Sequence, residues 1–514
     1  MAEVELQQER QKLQKVLKRW DLIFFSVCAL IGLDAVAGLA KWGLGQGITW
    51  LIIFVFLFLL PYGLITAELG AAFPAEGGAY TWARMAYGKL PGEITAILYW
   101  ISNAIWIGGS LSAVTIACIN SFFLAPNGHA EMGLTWQIVV GLVFVWVNIG
   151  IAVSALKHGK WAGNIGAWVK ALAVISFVIL VAANLAKHGL PAGIASASTY
   201  KPSISGFLAV IGSVIFLMVG FELESGASEE MVNPQHDVPV GILRSGIITS
   251  VLYILVVAGI LLTLPVKELT TSSGLTGAFA IVNKAVLGSG GGAKALGYCF
   301  GIIVILTLVG SGSVWILGSC RVQAVAALDG AAPRALGKFS KQGTPTAMAW
   351  LSGIIGSAFV VVVFVVSSRG GNTLNSAMAV FLGIALSTAV MCYLFILPAV
   401  ITLRRKFPDV HRPFRVPGGA VGVWVCVILS EIGIVLTGFT LLWPGLIDGL
   451  LGQKYSIMDS WGVSRSFFEL TTFLSFIVIL LVGVAFWAVG RMQSKGVQDT
   501  TAEDLIEGVV EQGV

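Results

Sequence analysis

Two short stretches of this 514-residue chain repeat one pattern: an apolar residue, a glycine, an apolar residue and an acid, with another glycine four positions later. The first copy consists of Ile31, Gly32, Leu33 and Asp34, and the second consists of Val219, Gly220, Phe221 and Glu222. Both lie in long apolar runs, where an acid costs roughly 2.5–3.5 kcal/mol on helix-insertion scales. Because glycine-interrupted apolar segments at matching positions mark polar sites between membrane helices, the repeat predicts two helices that unwind at these points.

The unwound backbone at these points supplies the predicted binding chemistry. The carbonyl groups of residues 29–31 and 216–219 can hold an ammonium group, and the positive N-termini of the following half-helices would face an anionic group. The alternative is that both glycines only allow close helix packing. The acid repeated at the same position beside each glycine favours a binding site.

Further candidates are polar side chains inside apolar runs. Asn103 and Trp106 lie about one helical turn apart and therefore share a face. Ser311 can line the same site, although a serine in a helix often bonds only its own preceding turn. Lys170 is the only Lys or Arg inside a span of the first half, and one interpretation is that its ammonium snorkels to the nearby interface. Glu431 also lies inside an apolar run, and the sequence assigns it no role.

The composition sets the class of protein. Apolar residues make up 57% of the chain and charged residues 11%, whereas a soluble domain carries about 25% charged residues. An integral membrane protein in contact with the lipid bilayer is therefore expected. The six cysteines lack metal or disulfide spacing, and neither an H-E-x-x-H run nor a P-loop is present. The sequence predicts no enzyme, no ATP-driven pump, no metal, no cofactor and no nucleic-acid partner.

Apolar runs of about 20 residues predict twelve membrane-spanning helices. They lie near 22–44, 48–73, 94–124, 134–155, 164–186, 205–231, 241–265, 295–328, 346–366, 375–403, 420–445 and 466–490. With this topology, 21 of the 31 Lys and Arg residues lie on the side of the N-terminus and nine on the other. The positive-inside rule then places both termini in the cytoplasm.

The broken spans are the first and the sixth, so the repeating unit has five helices and its second copy is inverted. The predicted division is a cytoplasmic segment 1–20, a first repeat 21–200, a second repeat 201–415, two added helices in 416–491 and a cytoplasmic tail 492–514.

Three motifs follow one another along residues 20–415. They run from Ala67 to Tyr80, from Phe216 to Pro234, and from Arg321 through Asp329 to Pro345. Their order and residues resemble those of the amino acid–polyamine–organocation superfamily of transporters. The resemblance implies an all-α, LeuT-like fold of five plus five inverted helices, with a central site between spans one, three, six, eight and ten.

The resemblance also implies residue roles. An aromatic residue near Phe216 closes over the substrate, and Glu222 matches an acidic position associated with gating. Lys170 matches a span-five lysine whose ammonium takes the place of a sodium ion beside the first break. One departure is Gly32-Leu33-Asp34, where the family usually carries a Gly-Ser-Gly-like run that binds a substrate carboxylate.

These observations predict a secondary active transporter, or permease, for an amino acid or related organic amine in the cell membrane. The expected coupling is sodium-independent, by protons or by exchange. A polyamine transporter and a transporter-like nutrient sensor are the alternatives, while a channel is disfavoured because pores use repeated polar rings or filter loops. The sequence leaves open the particular amine, the choice between symport and exchange, the direction of flux and the oligomeric state.

Overall fold

A computed structural model shows the architecture of most of the chain. It describes residues 17–32, 36, 43–125, 131–154, 156–190, 200–226, 231–263, 274–340, 343–369, 374–450, 452 and 463–494. The regular elements in these ranges are helices, apart from one parallel bridge between Leu17 and Met231. Leu33, Asp34, most of the predicted N-terminal segment 1–20 and most of the tail 492–514 lie outside the described residues.

Eight helices lie in the described residues up to His188. They are α1 (Arg19–Leu30), α2 (Gly43–Phe54), α3 (Leu60–Ala72), α4 (Gly78–Tyr87), α5 (Lys89–Trp106), α6 (Ser112–Ile119), α7 (Leu134–Val153) and α8 (Leu156–His188). The start of α1 is fixed by the backbone N–H of Lys18, which donates to Asp21 Oδ2 at 3.0 Å. An acid in the first turn also suits the positive end of the helix dipole.

Twelve further helices follow among the described residues from Tyr200 onward, with a short 3₁₀ turn at Arg334–Gly337. They are α9 (Ile204–Met218), α10 (Glu222–Ser225), α11 (Pro234–Leu261), α12 (Gly274–Leu287), α13 (Gly291–Leu328), α14 (Thr346–Arg369), α15 (Leu374–Met391), α16 (Tyr393–Ile396), α17 (Ala399–Lys406), α18 (Gly419–Leu442), α19 (Pro444–Leu450) and α20 (Arg465–Gln493).

Ten helical segments of the described chain are long and apolar enough to cross a membrane. They are Gly45–Ala72, Lys89–Leu124, Leu134–Val153, Gly163–His188, Pro234–Leu261, Gly291–Leu328, Thr346–Val366, Val380–Lys406, Gly419–Leu442 and Arg465–Gln493. Large apolar side chains such as Phe56, Trp136 and Ile247 are exposed on their outer faces. This exposure fits a bundle whose surroundings are lipid, because water would penalise it.

The predicted first and sixth spans are not among these ten segments. The helix of the first span, α1, ends at Leu30, and that of the sixth, α9, ends at Met218 after only 15 residues. The interruptions fall at the two glycine–acid motifs, as the sequence predicts. The total of twelve spans stays a prediction, as does the division into two repeats.

Three wide turns of π type interrupt the second and third spans. They lie at Val55–Leu59, Ile107–Leu111 and Asn120–Leu124. A π turn contains one more residue than an α turn and often lies next to a functional site. The second of them directly follows Trp106.

Salt bridges join the helix ends at one face of the bundle. Arg84 Nε lies 2.8 Å from Asp329 Oδ2, and Arg321 Nη1 lies 2.5 Å from Glu76 Oε1. Arg404 Nη2 lies 2.5 Å from Glu68 Oε2. We call this end, marked by Arg84, Arg321 and Arg404, the basic face.

Candidate functional site

The first helix break is held by a buried ammonium group. The Lys170 side chain of α8 is almost completely buried. Its Nζ donates to the carbonyl oxygens of Cys28 and Ile31, the latter at 2.6 Å. A buried charge is costly unless it is bonded, and carbonyls at the C-terminal end of a helix carry partial negative charge. Lys170 therefore contacts the carbonyls before Gly32, as the sequence analysis expected.

Two aromatic residues bond the remaining exposed backbone of this break. Trp315 Nε1 donates to the carbonyl of Ala29 at 3.0 Å. The Tyr253 hydroxyl donates to the carbonyl of Leu30 and accepts from the N–H of Gly32 at 2.9 Å. The carbonyls of residues 29–31 thus all have donors supplied by the protein. An ammonium group of a ligand would have to use their second lone pairs or the carbonyls at the end of α9.

The second break depends on a glycine conformation. Gly220 has φ +131°, a region that L-residues rarely adopt. A Cβ atom added there would also lie 3.0 Å from Trp315 Cζ2. The N–H groups of Gly220 and Phe221 both donate to the hydroxyl oxygen of Tyr62 at 2.8 Å. Tyr62 therefore satisfies two backbone donors that the break removes from helical pairing.

Glu222 accepts hydrogen bonds from three phenols. Tyr99 and Tyr393 donate to its Oε1 at 2.8 and 2.7 Å. Tyr62 donates to its Oε2, since the one hydroxyl hydrogen of Tyr62 is not used by the two N–H groups that it accepts. Three donors satisfy an ionised carboxylate without a neighbouring cation. Through these hydrogen bonds, Glu222 of α10 links α3, α5 and α16.

A cavity lies between the two breaks. It is walled by five aromatic residues, Tyr99, Trp106, Phe216, Trp315 and Tyr393. Smaller and polar groups complete the wall: Gly32, Ser102, Asn103, Val219 and Ala385, with Ala29, Leu30, Leu217 and Ala389. No Lys, Arg, Asp or Glu is among these lining residues of the described chain.

The aromatic rings of the wall contact one another mostly edge to face. Trp106 lies 6.3 Å from Phe216 and 6.4 Å from Trp315 between ring centroids, at interplanar angles of 72° and 77°. Tyr99 lies 6.0 Å from Trp315. Ring faces attract organic cations and also bury apolar groups. The cavity can therefore accept a ligand that has both a cationic end and a hydrocarbon part.

The predicted site residues fall into three groups. Gly32, Asn103, Trp106, Phe216 and Val219 line the cavity. Ile31, Gly220, Phe221, Glu222 and Ser311 do not line it; they are buried in the layer behind its wall. Leu33 and Asp34 lie outside the described residues.

Two of the predicted polar residues bond to the protein backbone. Asn103 Nδ2 donates to the carbonyl of Tyr99 at 2.7 Å, one turn earlier in its own helix. Its amide keeps a second N–H. Ser311 Oγ donates to the Cys28 carbonyl at 3.4 Å, so it shares that oxygen with Lys170. Ser311 therefore supports the first break from α13.

The sequence analysis missed the tyrosines that organise both breaks. They are Tyr62, Tyr99, Tyr253 and Tyr393, all nearly fully buried. A buried tyrosine usually needs a hydrogen-bond partner for its hydroxyl. Four tyrosines in otherwise apolar spans were therefore a signal of buried polar groups, although the sequence does not say which groups they bond.

In the described part of the chain, ten membrane-length helices and an aromatic cavity between two interrupted helices define a helical membrane transporter. The chain belongs to the amino acid permease family, whose model matches residues 17–450. This membership confirms the resemblance to the amino acid–polyamine–organocation superfamily.

Three transporters illustrate the range of relatives. An uncharacterized transporter of Legionella pneumophila is 29% identical over 428 residues, which cover 82% of this chain and 88% of the relative. The probable agmatine/putrescine antiporter AguD of Lactococcus lactis is 27% identical, with 81% and 86% covered. The branched-chain amino acid permease BcaP of Bacillus subtilis is 25% identical, with 86% and 92% covered.

Proposed function

We propose that this permease is a secondary active transporter of an organic amine or amino acid, which moves its substrate across the cell membrane by alternating access. The observation that carries the proposal is the cavity between the two helix breaks. Its wall combines five aromatic side chains with backbone groups of both breaks, and its described lining contains no cationic side chain. Such a site favours a ligand with an ammonium group over a dicarboxylate.

Glu222 strengthens the preference for an amine. Its carboxylate is bonded to Tyr99 and Tyr393, and both of these tyrosines also line the cavity. A negative charge held just behind the wall attracts a cation in the cavity, because the low-dielectric surroundings screen it little. Polyamines and amines such as agmatine or putrescine are therefore the first substrates to test, and neutral amino acids such as leucine are the second. The names of two relatives point to the same two classes.

The position of Lys170 supports sodium-independent coupling. Its ammonium already bonds the carbonyls of Cys28 and Ile31 beside the first break. A sodium ion at those oxygens would be adjacent to a fixed positive charge and would compete with it. The driving force in this proposal is therefore a proton gradient or the exchange of one amine for another.

The proposed topology is twelve spans in a LeuT-like arrangement of two inverted five-helix repeats and two added helices. The basic face is then the cytoplasmic face, because the positive-inside rule places most Lys and Arg there. The salt bridges of Arg84, Arg321 and Arg404 join helix ends at this face. The conformation is accordingly one that is closed towards the cytoplasm.

Counterflow into proteoliposomes tests the proposal. Vesicles preloaded with agmatine, putrescine, leucine or glutamate are assayed for uptake of the same labelled compound, with sodium replaced by choline. We expect saturable uptake of an amine or a neutral amino acid without sodium. A preference for glutamate, or a strict requirement for sodium, would contradict the proposal.

A pair of glycine variants shows whether uptake depends on the second break. Gly220→Val introduces a side chain at φ +131° against Trp315, whereas a Cβ atom at Gly150 of α7 meets nothing within 4 Å. Gly220→Val should abolish uptake while the protein still elutes as a single species in detergent. Gly150→Val is the matched control and should transport normally. Equal uptake by the two variants would show that the second break is not part of the transport site.

A further inference from the structure

A second buried polar pair lies outside the cavity, near the basic face. Glu93 is in the second turn of α5, and Gln323 is in the last two turns of α13. Both side chains have essentially no exposure to solvent. Gln323 Nε2 donates to Glu93 Oε1 at 2.8 Å. This bond joins the start of the third span to the end of the eighth.

The same pair contains two acceptors without donors. Glu93 Oε2 and Gln323 Oε1 are both buried and lack a hydrogen-bond partner among the described residues. An ionised carboxylate can only accept hydrogen bonds, and so can an amide oxygen. If Glu93 were ionised, two buried oxygens would therefore remain unpaired, one of them on a charged group, which is an unfavourable arrangement.

One proton on the Glu93 carboxyl group would give both unpaired oxygens a hydrogen bond. A protonated carboxyl group gains an O–H donor, and Gln323 Oε1 is the unpaired acceptor on the residue already bonded to Glu93. Acid and amide then form two hydrogen bonds side by side, with N–H donating in one direction and O–H in the other. The bonded nitrogen of Gln323 and its unpaired oxygen belong to one amide group, which suits this double contact.

The charged groups around the pair do not replace the proton. Glu93 makes no ion pair in the described part of the chain. Arg84 and Lys89 contact Asp329, with Arg84 Nε–Oδ2 at 2.8 Å and Lys89 Nζ–carbonyl O at 2.7 Å. Arg321 bonds Glu76 at 2.5 Å. The elements packed against this part of α5 carry further titratable and charged groups, which are Tyr80, Arg84 and Tyr87 of α4, Cys320 and Arg321 of α13 with Asp329 at its end, Tyr393 of α16 and Arg491 of α20.

We propose that Glu93 is a proton-binding site of the transporter, held as a neutral acid by Gln323 while the basic face is closed and deprotonated when that face opens. The release step leaves a carboxylate on Glu93 and transfers one proton to water. The contacts between Lys89, the first residue of α5, and Asp329, the residue that follows α13, join the same two helices as the pair. A movement that separates the start of α5 from the end of α13 would break those contacts and admit water to Glu93.

Infrared spectroscopy tests the protonation directly and without transport. Difference spectra of the purified full-length protein during a pH titration should show the carbonyl-stretch band of a protonated carboxyl group. The component due to Glu93 should be absent from the spectrum of Glu93→Gln, whose amide can still bond Gln323 in both directions, and should shift in frequency in Gln323→Leu. Glu431→Gln is the matched control, because Glu431 is another carboxyl inside a span with an unpaired oxygen. A band that survives unchanged in Glu93→Gln would overturn the proposal.

Transport measurements test the role in coupling, which rests on the proposed function. Each protein in proteoliposomes is assayed with and without an imposed pH gradient, and the ratio of the two uptake rates is compared. Wild type and Glu431→Gln should be stimulated by the gradient, and Glu93→Gln should lose the stimulation. Stimulation of Glu93→Gln equal to that of wild type would overturn the role in coupling. Absence of any uptake by wild type would instead refute the proposed transport function and leave the infrared result standing.

Discussion

The two helix breaks are stabilised by opposite chemical groups. At the first break, donors bond backbone carbonyls: Lys170 bonds those of Cys28 and Ile31, and Trp315 bonds that of Ala29. At the second break, the hydroxyl oxygen of Tyr62 accepts backbone N–H groups. The charged group at the first break is an ammonium, and the charged group at the second is the Glu222 carboxylate.

The difference follows from which end of a helix each charge meets. The carbonyls at the first break belong to the C-terminal, negative end of α1, and a cation is favourable there. Glu222 begins α10, and an anion is favourable at the N-terminal, positive end of a helix. Each break therefore carries its own counter-charge. Variants that remove these side chains one at a time show how far the stability of each break depends on them.

The largest effect is expected for Lys170→Ala. The two hydrogen bonds from a charged donor contribute about 1.5–3 kcal/mol each, so a loss of about 3 kcal/mol or more in stability is expected. The empty carbonyl oxygens should also gain affinity for sodium. Thermal melting in sodium and in choline salts measures both effects: sodium should raise the Tm of Lys170→Ala and leave that of wild type unchanged.

The control for this variant is Lys187→Ala. Lys187 also donates to a backbone carbonyl, that of Val286 at 2.7 Å, but on the exposed surface. Its loss should cost little, because water replaces the donor. A Lys170→Ala protein as stable as Lys187→Ala, with no response to sodium, would show that the first break does not need its ammonium.

The next effect is expected for Tyr62→Phe. This change removes the acceptor of two buried N–H groups, at about 1–3 kcal/mol for each group left unpaired. It also removes one of the three donors to Glu222. We expect a clear fall in Tm and loss of counterflow. A variant with wild-type uptake would mean that the second break is rigid without Tyr62.

A smaller effect is expected for Tyr253→Phe, the corresponding change at the first break. Tyr253 bonds the Leu30 carbonyl and the Gly32 N–H, but that N–H also contacts the Leu30 carbonyl at 3.0 Å. The expected loss is therefore about 1–3 kcal/mol in total. Thermal melting of Tyr62→Phe and Tyr253→Phe under the same conditions shows which variant loses more stability. A larger loss for Tyr253→Phe than for Tyr62→Phe would reverse the comparison between the breaks.

The smallest effect on stability is expected for Tyr393→Phe, at about 1 kcal/mol, because Glu222 keeps two phenol donors. Tyr393 also lines the cavity. The concentration of putrescine that displaces a labelled substrate should therefore change clearly, although the stability changes little. Tyr298→Phe, a change on α13 where the ring stacks on Phe123, is the control. Identical competition curves for the two variants would show that Tyr393 does not contact the substrate.

Residue types inside apolar runs predicted much of this arrangement. Glycine placed both breaks, and the family resemblance matched Lys170 to a lysine beside the first break. Trp106 and Asn103 line the cavity because helical spacing puts them on one face. Local patterns of this kind are visible in sequence because each depends on neighbours within one helix.

The partners of Glu222 could not be predicted in the same way. Its three phenols come from positions 160, 123 and 171 residues away. No periodicity relates such positions, since they meet only through the packing of different helices. The hydrogen bond of Asn103 is a local one by contrast, because its acceptor, the Tyr99 carbonyl, lies one turn earlier in the same helix. The length of the described helices followed from hydropathy, whereas the pairing of their buried polar groups did not.

The wide turn at Ile107–Leu111 has a consequence for insertions and deletions. Since a π turn accommodates one extra residue in an α-helix, removing one residue there can restore regular winding while Trp106 and the residues after Leu111 keep their faces. Gly108 is not the residue that can be removed, because a Cβ atom at its position would lie 2.2 Å from the carbonyl oxygen of Gly356 on α14. Removal of one other residue from this turn is therefore expected to leave the cavity in place, provided that Gly108 is kept.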